Sequence, residues 1–215
     1  MIADLDRRIL ILNDLSNIHL SAGVAADMQG EGALRARLRI QAGAIKRLAA
    51  AGRPNTMTRT VTSANDFARL ERVVEHFDDA GFGVTLLERG RRTGKELGAD
   101  HYLQLCMLRE VFDAVPGVIV LLSGDGAGHE EGIGFLADLK RARSRGWGIE
   151  VLAWDRTCSR ELKAWVQRQG PHGVYIPLDR YYYSITFVEG GRRALPLSLR
   201  GRPQAVPGDS NGMAA

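Results

Sequence analysis

Three aspartates stand where chain reversals would gather them. Asp14 closes the apolar run Ile9-Leu10-Ile11-Leu12-Asn13. Asp125 closes Val118-Ile119-Val120-Leu121-Leu122-Ser123-Gly124, and Asp100 opens the helical pattern Asp100-His101-Tyr102-Leu103-Gln104-Leu105. An acid just past a buried strand sits at the carboxyl edge of a sheet, where open α/β folds bind ligands. Three such acids side by side repel unless a cation lies between them. The residue types therefore point to a metal-ion site and to phosphoryl chemistry. Carboxylate oxygens suit hard Mg²⁺ and Mn²⁺, which keep waters and accept phosphate oxygens. Taken singly, Asp14 also reads as a helix cap and Asp100 as a favourable first-turn acid.

The neighbours of these acids extend the pattern. Asn17, in Asn13-Asp14-Leu15-Ser16-Asn17, is placed to orient a carboxylate or hold a scissile phosphate. Lys95, with Arg89, Arg91 and Arg92 before it, lies in a basic, Gly-punctuated loop leading to Asp100, where it would reach an acidic pocket or a phosphate. The Gly-rich turn Gly124-Asp125-Gly126-Ala127-Gly128 is not a dinucleotide fingerprint. None of its glycines has Gly or Ala at the required third place, and no G-K-[ST] exists for a nucleoside triphosphate. It reads better as backbone freedom around a metal-binding Asp. His101 and His129 flank the acids and read as RNA or solvent contacts rather than ligands. No Ser/His/Asp order stands out.

The bulk numbers bound the class. With 215 residues and 45% apolar content, the chain supports one domain with a sizeable core. Net charge is +4 and unevenly placed. Between Gly32 and Asn65 there is no acid, while Arg35, Arg37, Arg39, Lys46, Arg47, Arg53 and Arg59 all fall there. Such a block either follows a phosphate backbone or is a solvated helix face. Cys106 and Cys158 are the two cysteines, with no CxxC, which argues against a zinc site or disulfide framework. No leader-like segment and no apolar run near 18 residues is visible, so a cytoplasmic protein without a membrane span is expected.

Apolar periodicity then supplies the elements. Strands are expected over 9–13, 58–63, 84–87, 118–123, 147–154 and 174–178, with an edge strand over 184–188. Helices are expected around Leu34 to Leu48, Phe67 to Phe77 after an S-x-x-D start at Ser63, from Asp100 to Phe112, from Phe135 to Ala142, and from Leu162 to Gln169. Residues 16–32 are small and Gly-containing and read as mobile. Trp147, Trp154 and Trp165 read as core, and one ring of Tyr181-Tyr182-Tyr183 as exposed. Alternating strands and helices imply an α/β fold of three layers around a central, mainly parallel sheet, spanning residues 1–188. Residues 189–215 lack periodicity and are expected to be a disordered basic tail.

The chain resembles the NYN domain family, a branch of the PIN-like nucleases. Ile11-Leu12-Asn13-Asp14-Leu15-Ser16-Asn17 is similar to the family's strand and D-x-x-N start. Lys95-Glu96-Leu97-Gly98-Ala99-Asp100 is similar to its K-x-x-G-x-D segment, and Val120 to Gly126 to its strand and S-G-D turn. Gly146-Trp147 to Trp154 and Ser184-Ile185-Thr186-Phe187 resemble later segments. The resemblance implies a PIN-like Rossmannoid fold and a Mg²⁺- or Mn²⁺-dependent endoribonuclease. In it Asp14, Asp100 and Asp125 hold the metal, Asn17 supports them, and Arg89, Arg91, Arg92 and Lys95 grip RNA phosphates. Many relatives carry a further acid two residues after the S-G-D aspartate. Here that place is Ala127, with Glu130 or Glu131 as the substitutes. A catalytically inactive RNA-binding or adaptor module of the same fold is the rival expectation. A homo-oligomer or a protein partner stays open.

Overall fold

In a computed structural model of the chain, residues 8–64, 70–88, 98–127 and 132–208 are described. Eight strands lie among them: β1 (Ile9–Asp14), β2 (Leu38–Ile40), β3 (Thr56–Ala64), β4 (Val84–Glu88), β5 (Val118–Leu122), β6 (Gly148–Ala153), β7 (Gly173–Pro177) and β8 (Thr186–Val188). Six form one sheet in the order β4-β3-β1-β5-β6-β7, every neighbour parallel. Numbered within that sheet alone, the order is 3-2-1-4-5-6. It therefore reverses between β1 and β5, the place where doubly wound sheets open a crevice for ligands.

Burial on both faces explains why β1 and β5 read as unbroken apolar runs. Ile9, Ile11, Val118, Val120 and Leu122 point into one layer, and Leu10, Leu12, Ile119 and Leu121 into the other. The first layer contains α1 (Leu15–Met28), α2 (Ala42–Ala50), α3 (Glu71–Asp79) and, after the last parallel strand, α7 (Tyr182–Ile185). The second contains α4 (Ala99–Asp113), α5 (Gly134–Ser144) and α6 (Arg160–Gln167). The result is the expected three-layer α/β, Rossmann-like fold around a parallel sheet. No helix among the described residues is long and apolar enough to cross a membrane.

Three expectations change. Residues 16–32 are not a mobile segment: most of them form α1, capped by Asp14 and stopped at Gly30, whose φ of 75° takes the chain out of the helix. The stripe that holds α1 to the sheet is Ile18, Ala22, Ala25 and Ala26, mostly alanines, so a hydrophobic period was hard to see. The helix expected from Leu34 is divided. Leu38–Ile40 becomes β2, which pairs antiparallel with β8 in a small second sheet, and α2 starts only at Ala42. Ser184 and Ile185 accordingly end α7 rather than start the edge strand. The S-x-x-D start before α3 lies partly outside the described residues, since Asp66 and Phe67 fall there.

The largest departure is at the C-terminal end. Residues 189–208 were expected to be a disordered tail; they run instead as a strap docked on the first layer. Arg192 forms a two-armed pair with Glu31, its Nε donating to Oε1 at 2.8 Å and its Nη2 to Oε2 at 2.9 Å. Arg202 is buried and donates to Glu150 at 2.7 Å, and the backbone N–H of Ala205 donates to the same carboxylate at 2.9 Å. Leu197, Leu199 and Ala205 join the apolar cluster beside Val174 and Ile176 of β7. The strap thus covers the β6–β7 end of the sheet. It uses guanidinium groups and backbone rather than a periodic apolar face. Residues 209–215 lie outside the described residues.

Candidate active site at the sheet switch point

β1 and β5 end side by side, and the chain leaves them toward opposite layers, to α1 and toward α5. Asp14 is the last residue of β1 and the N-cap of α1. Its Oδ1 accepts the backbone N–H of Asn17 at 2.9 Å, the ordinary capping bond. Its Oδ2 accepts the hydroxyl of Ser123, from the end of β5, at 3.2 Å. The Ser123 Oγ in turn accepts the backbone N–H of Asp125 at 3.2 Å. Asn17 closes the ring, its Oδ1 accepting the N–H of Gly124 at 3.1 Å. Asp125 folds its own turn, Oδ1 accepting the N–H of Ala127 at 2.9 Å as an Asx turn. Asp14, Asn17, Ser123 and Asp125 therefore form one hydrogen-bonded unit across the switch point.

Hydroxyl groups from β3 continue the polar edge. Ser16 and Thr62 share a hydrogen bond of 3.2 Å, and the Asn13 amide reaches the Thr60 hydroxyl at 3.5 Å. All four are buried. Asn13 Oδ1 lacks a hydrogen-bond partner, an uncommon state for a buried amide oxygen.

The glycines of the turn are required by close approach, not by backbone freedom. A Cβ on Gly124 would meet Cys158 Cα at 3.0 Å, and one on Gly126 would meet Ser159 Cβ at 2.6 Å. Ser159 is the N-cap of α6, its hydroxyl accepting from Leu162 N–H at 3.3 Å, and its own N–H donates to Gly124 O at 2.8 Å. The site turn is thus pressed against the start of α6. Beyond it, Lys163 pairs with Asp155, and the Tyr175 hydroxyl donates to the same carboxylate at 3.1 Å. The bond from Lys163 holds Asp155 below the usual carboxylate range, while burial pushes the Cys158 thiol up to about 11. Cys158 is consequently a protonated packing group, and the Asp155 trio is a brace at the same edge.

Asp100 takes its expected place in the first turn of α4, which opens from Gly98. It sits on the opposite side of the crevice from α1. The three aspartates do not close into a preformed cage: among the described residues, no three His, Cys, Asp or Glu side chains come together to hold an ion. Arg89, Arg91, Arg92, Lys95, His129, Glu130 and Glu131 lie outside the described residues. His101 is exposed.

The chain is similar in fold to a crystal structure of a protein of unknown function from Vibrio parahaemolyticus. The TM-score is 0.61 and the identity 19%, over 83% of this chain and 96% of the other. That likeness carries the architecture and no chemistry. No protein-family profile and no curated protein sequence matches the chain.

Much of the basic block is occupied structurally. Arg53 chelates Glu150 through bonds of 2.8 and 3.0 Å, Arg35 pairs with Asp27, and Lys46 donates to Gly81 O at 2.8 Å. Arg39 pairs with Glu189 at 2.8 Å. Trp147 and Trp154 are core, and Trp154 donates its indole N–H to Ile18 O at 2.9 Å. Tyr182 is buried and donates to Glu31 at 2.8 Å, leaving Tyr183 as the exposed ring. Sequence reading passed over Ser123 as an actor. The signal was present in the Ser-Gly-Asp tripeptide: a hydroxyl just past the end of a central strand is within reach of the acid that ends the adjacent strand.

Proposed function

We propose that the protein is a cytoplasmic, metal-dependent endoribonuclease of the NYN branch of PIN-like nucleases, hydrolysing RNA phosphodiester bonds in the crevice between β1 and β5. The observation that carries the reading is the bonding of Asp14 and Asp125 to one serine, Ser123, at the switch point of the sheet. Mg²⁺ is commonly held by one or two carboxylates together with waters and substrate phosphates, so a complete protein cage is not required. The donor chemistry fits. Asp14 presents both carboxylate oxygens at the strand end, Oδ1 toward the start of α1 and Oδ2 toward Ser123. Asp14 and Asp125 would hold the ion, with Asp100 approaching from α4. When bound, Mg²⁺ or Mn²⁺ would activate a water and neutralise charge on the phosphoryl group.

The chain's own residues do the positioning. The cap bond and the Ser123 bond fix the orientation of the Asp14 carboxylate. Asn17 locks the Gly124 amide and with it the start of the Asp125 turn. Lys95, Arg89, Arg91 and Arg92 precede Asp100 directly in the chain and would deliver phosphates to the crevice. A second reading, an RNA-binding or adaptor module, is favoured by two observations: the aspartates do not gather as a trio, and Ala127 stands where an acid would complete the set.

One experiment separates the two. Mn²⁺ is titrated into the protein by calorimetry, and cleavage of a single-stranded RNA is followed with Mn²⁺ or EDTA. Asp14→Asn and Asp125→Asn are run in parallel. The nuclease reading expects cleavage only with metal, its loss in both variants, and retained folding, because Asn still caps α1. RNA binding without cleavage at any metal concentration establishes the adaptor.

A further inference from the structure

On the flank of α1 lies a small cavity that the hydrolytic chemistry does not use. Its volume is about 90 Å³, and its walls include His19 of α1, Arg39 of β2, Arg72 and His76 of α3, Phe187 of β8, and Glu189. A cavity of roughly 10–15 Å³ suffices for one water, and drug-sized ligands need roughly 300–1,000 Å³. The space therefore suits a group of several heavy atoms. Two guanidinium groups face one carboxylate there, which leaves a positive charge uncompensated. Arg72 is exposed and has no carboxylate partner among the described residues. Arg39 already spends part of its donor set on Ala36 O, Leu38 O and Glu189, and retains further N–H groups.

The two imidazoles add neutral donors. The Nε2 of His76 accepts the backbone N–H of Ala42 at 3.1 Å, so its proton resides on Nδ1. Burial, with Arg39 alongside, holds the His19 ring below its usual value, which favours its neutral form. Donors thus converge from three separate elements, α1, β2 and α3. That arrangement matches a tetrahedral oxyanion with acceptor atoms in several directions, and planar guanidinium forks are suited to phosphate. A wider open groove of about 750 Å³ shares His76, Phe187 and Glu189 with the cavity and carries Arg193 on its far wall. A phosphate seated in the small cavity would have room there for the chain attached to it.

We infer that this cavity is a phosphate-binding subsite, and we rest on the nuclease reading only in assigning the phosphate to an RNA strand. His19 lies five residues along α1 from the cap Asp14, about 7.5 Å of helix rise.

The probe is inorganic phosphate, titrated at constant ionic strength while the ring nitrogens of the five histidines are followed by long-range ¹H–¹⁵N correlation. Saturable shifts of His19 and His76, weakened about tenfold in Arg72→Ala, are expected. Absent or non-saturating shifts at those two rings, or equal affinity in Arg72→Ala, overturn the subsite. Arg72 is exposed, so the variant folds, and Arg72→Lys provides a charged control with recovery of part of the affinity. Single-stranded RNA with a 5′-hydroxyl or a 5′-phosphate is then added in EDTA as a competitor. Displacement by both assigns an internal phosphodiester, and displacement by the 5′-phosphate strand alone assigns a strand terminus. Phosphate binding that neither RNA disturbs leaves the subsite standing and removes the RNA reading.

Discussion

The C-terminal strap provides the sharpest test of how this fold is held together. Glu150 is fully buried in the middle of β6, and its carboxylate receives four hydrogen bonds. Two come from Arg53, one from Arg202 and one from the Ala205 N–H. Those four fill the acceptor positions of the group. Arg202→Met keeps most of the apolar stem and removes the charge. Glu150 then keeps Arg53 but loses one bond and half of its compensating charge inside the protein. Breaking a buried charge pair on one side costs roughly 3–5 kcal/mol. For a domain of this length each kcal/mol moves the midpoint by roughly 2–4 °C, so the melting temperature should fall by roughly 6–20 °C. Ending the chain after Glu189 should fall at least as far, since it also removes Arg192 from Glu31 and uncovers β7. Thermal unfolding followed by circular dichroism reads both variants. A triple change of Arg53→Met, Glu150→Leu and Arg202→Met should recover much of the loss, because the charges leave together and their desolvation with them. A midpoint within about 2 °C of the parent in both Arg202→Met and the shortened chain would refute the docked strap.

Two further outcomes follow from the same geometry. Gly126→Ala places a Cβ at 2.6 Å from Ser159 Cβ, so the turn and the start of α6 must separate; overpacking of this kind costs roughly 1–3 kcal/mol, and denaturant unfolding should show it together with shifted amide resonances at Asp125. Glu31 titrates in the opposite sense to a buried acid: its bonds to Arg192 hold its carboxyl below the ordinary value of 4.5. Its contribution to stability is therefore complete above that value and is lost as pH falls through the depressed one, and Glu31→Gln should flatten the acid limb of the stability–pH profile while leaving its shape at neutral pH unchanged.

The fold was legible where burial leaves a one-dimensional trace. The first four residues of β1 and all of β5 are apolar because both faces are covered, and an acid at or just past the end of each is conspicuous against that run. α1 left a weak trace because Ala22, Ala25 and Ala26 bring it close to the sheet without bulk, and Gly23 sits among them. β2 and β8 have three residues each, too few for a period to register. The strap left none: its anchors are Arg192 and Arg202, residues that composition assigns to solvent, and their partners Glu31 and Glu150 are 161 and 52 residues away in sequence. Asp14, Asn17 and Asp125 could be chosen from the sequence because two strand ends and a turn fix their positions. The Arg35 to Arg59 block could not be judged, because pairing with Asp27, Glu150 and Glu189 is a tertiary property. Glycine types in the turn were visible; that α6 rather than backbone conformation demands them was not.

Under the nuclease reading Asp14 has two duties that pull in the same direction. As the N-cap of α1 it points its carboxylate back over the first turn, toward the positive end of the helix dipole. As a residue of the switch point it would also hold the proposed metal ion in the crevice. A cap alone would need only Oδ1, which Asn17 N–H occupies. The bond from Ser123 to Oδ2 crosses from β5 and serves no helix. It ties the acid of one strand to the turn that carries the acid of the next, through a hydroxyl that also holds the Asp125 amide. Helix capping alone does not call for such a crossing, whereas the proposed metal site, which would keep two strand-end acids in place before any ion arrives, would use it. The strand order makes this arrangement available, since only at the reversal do two adjacent strand ends have chains departing to opposite layers and leave open space above them.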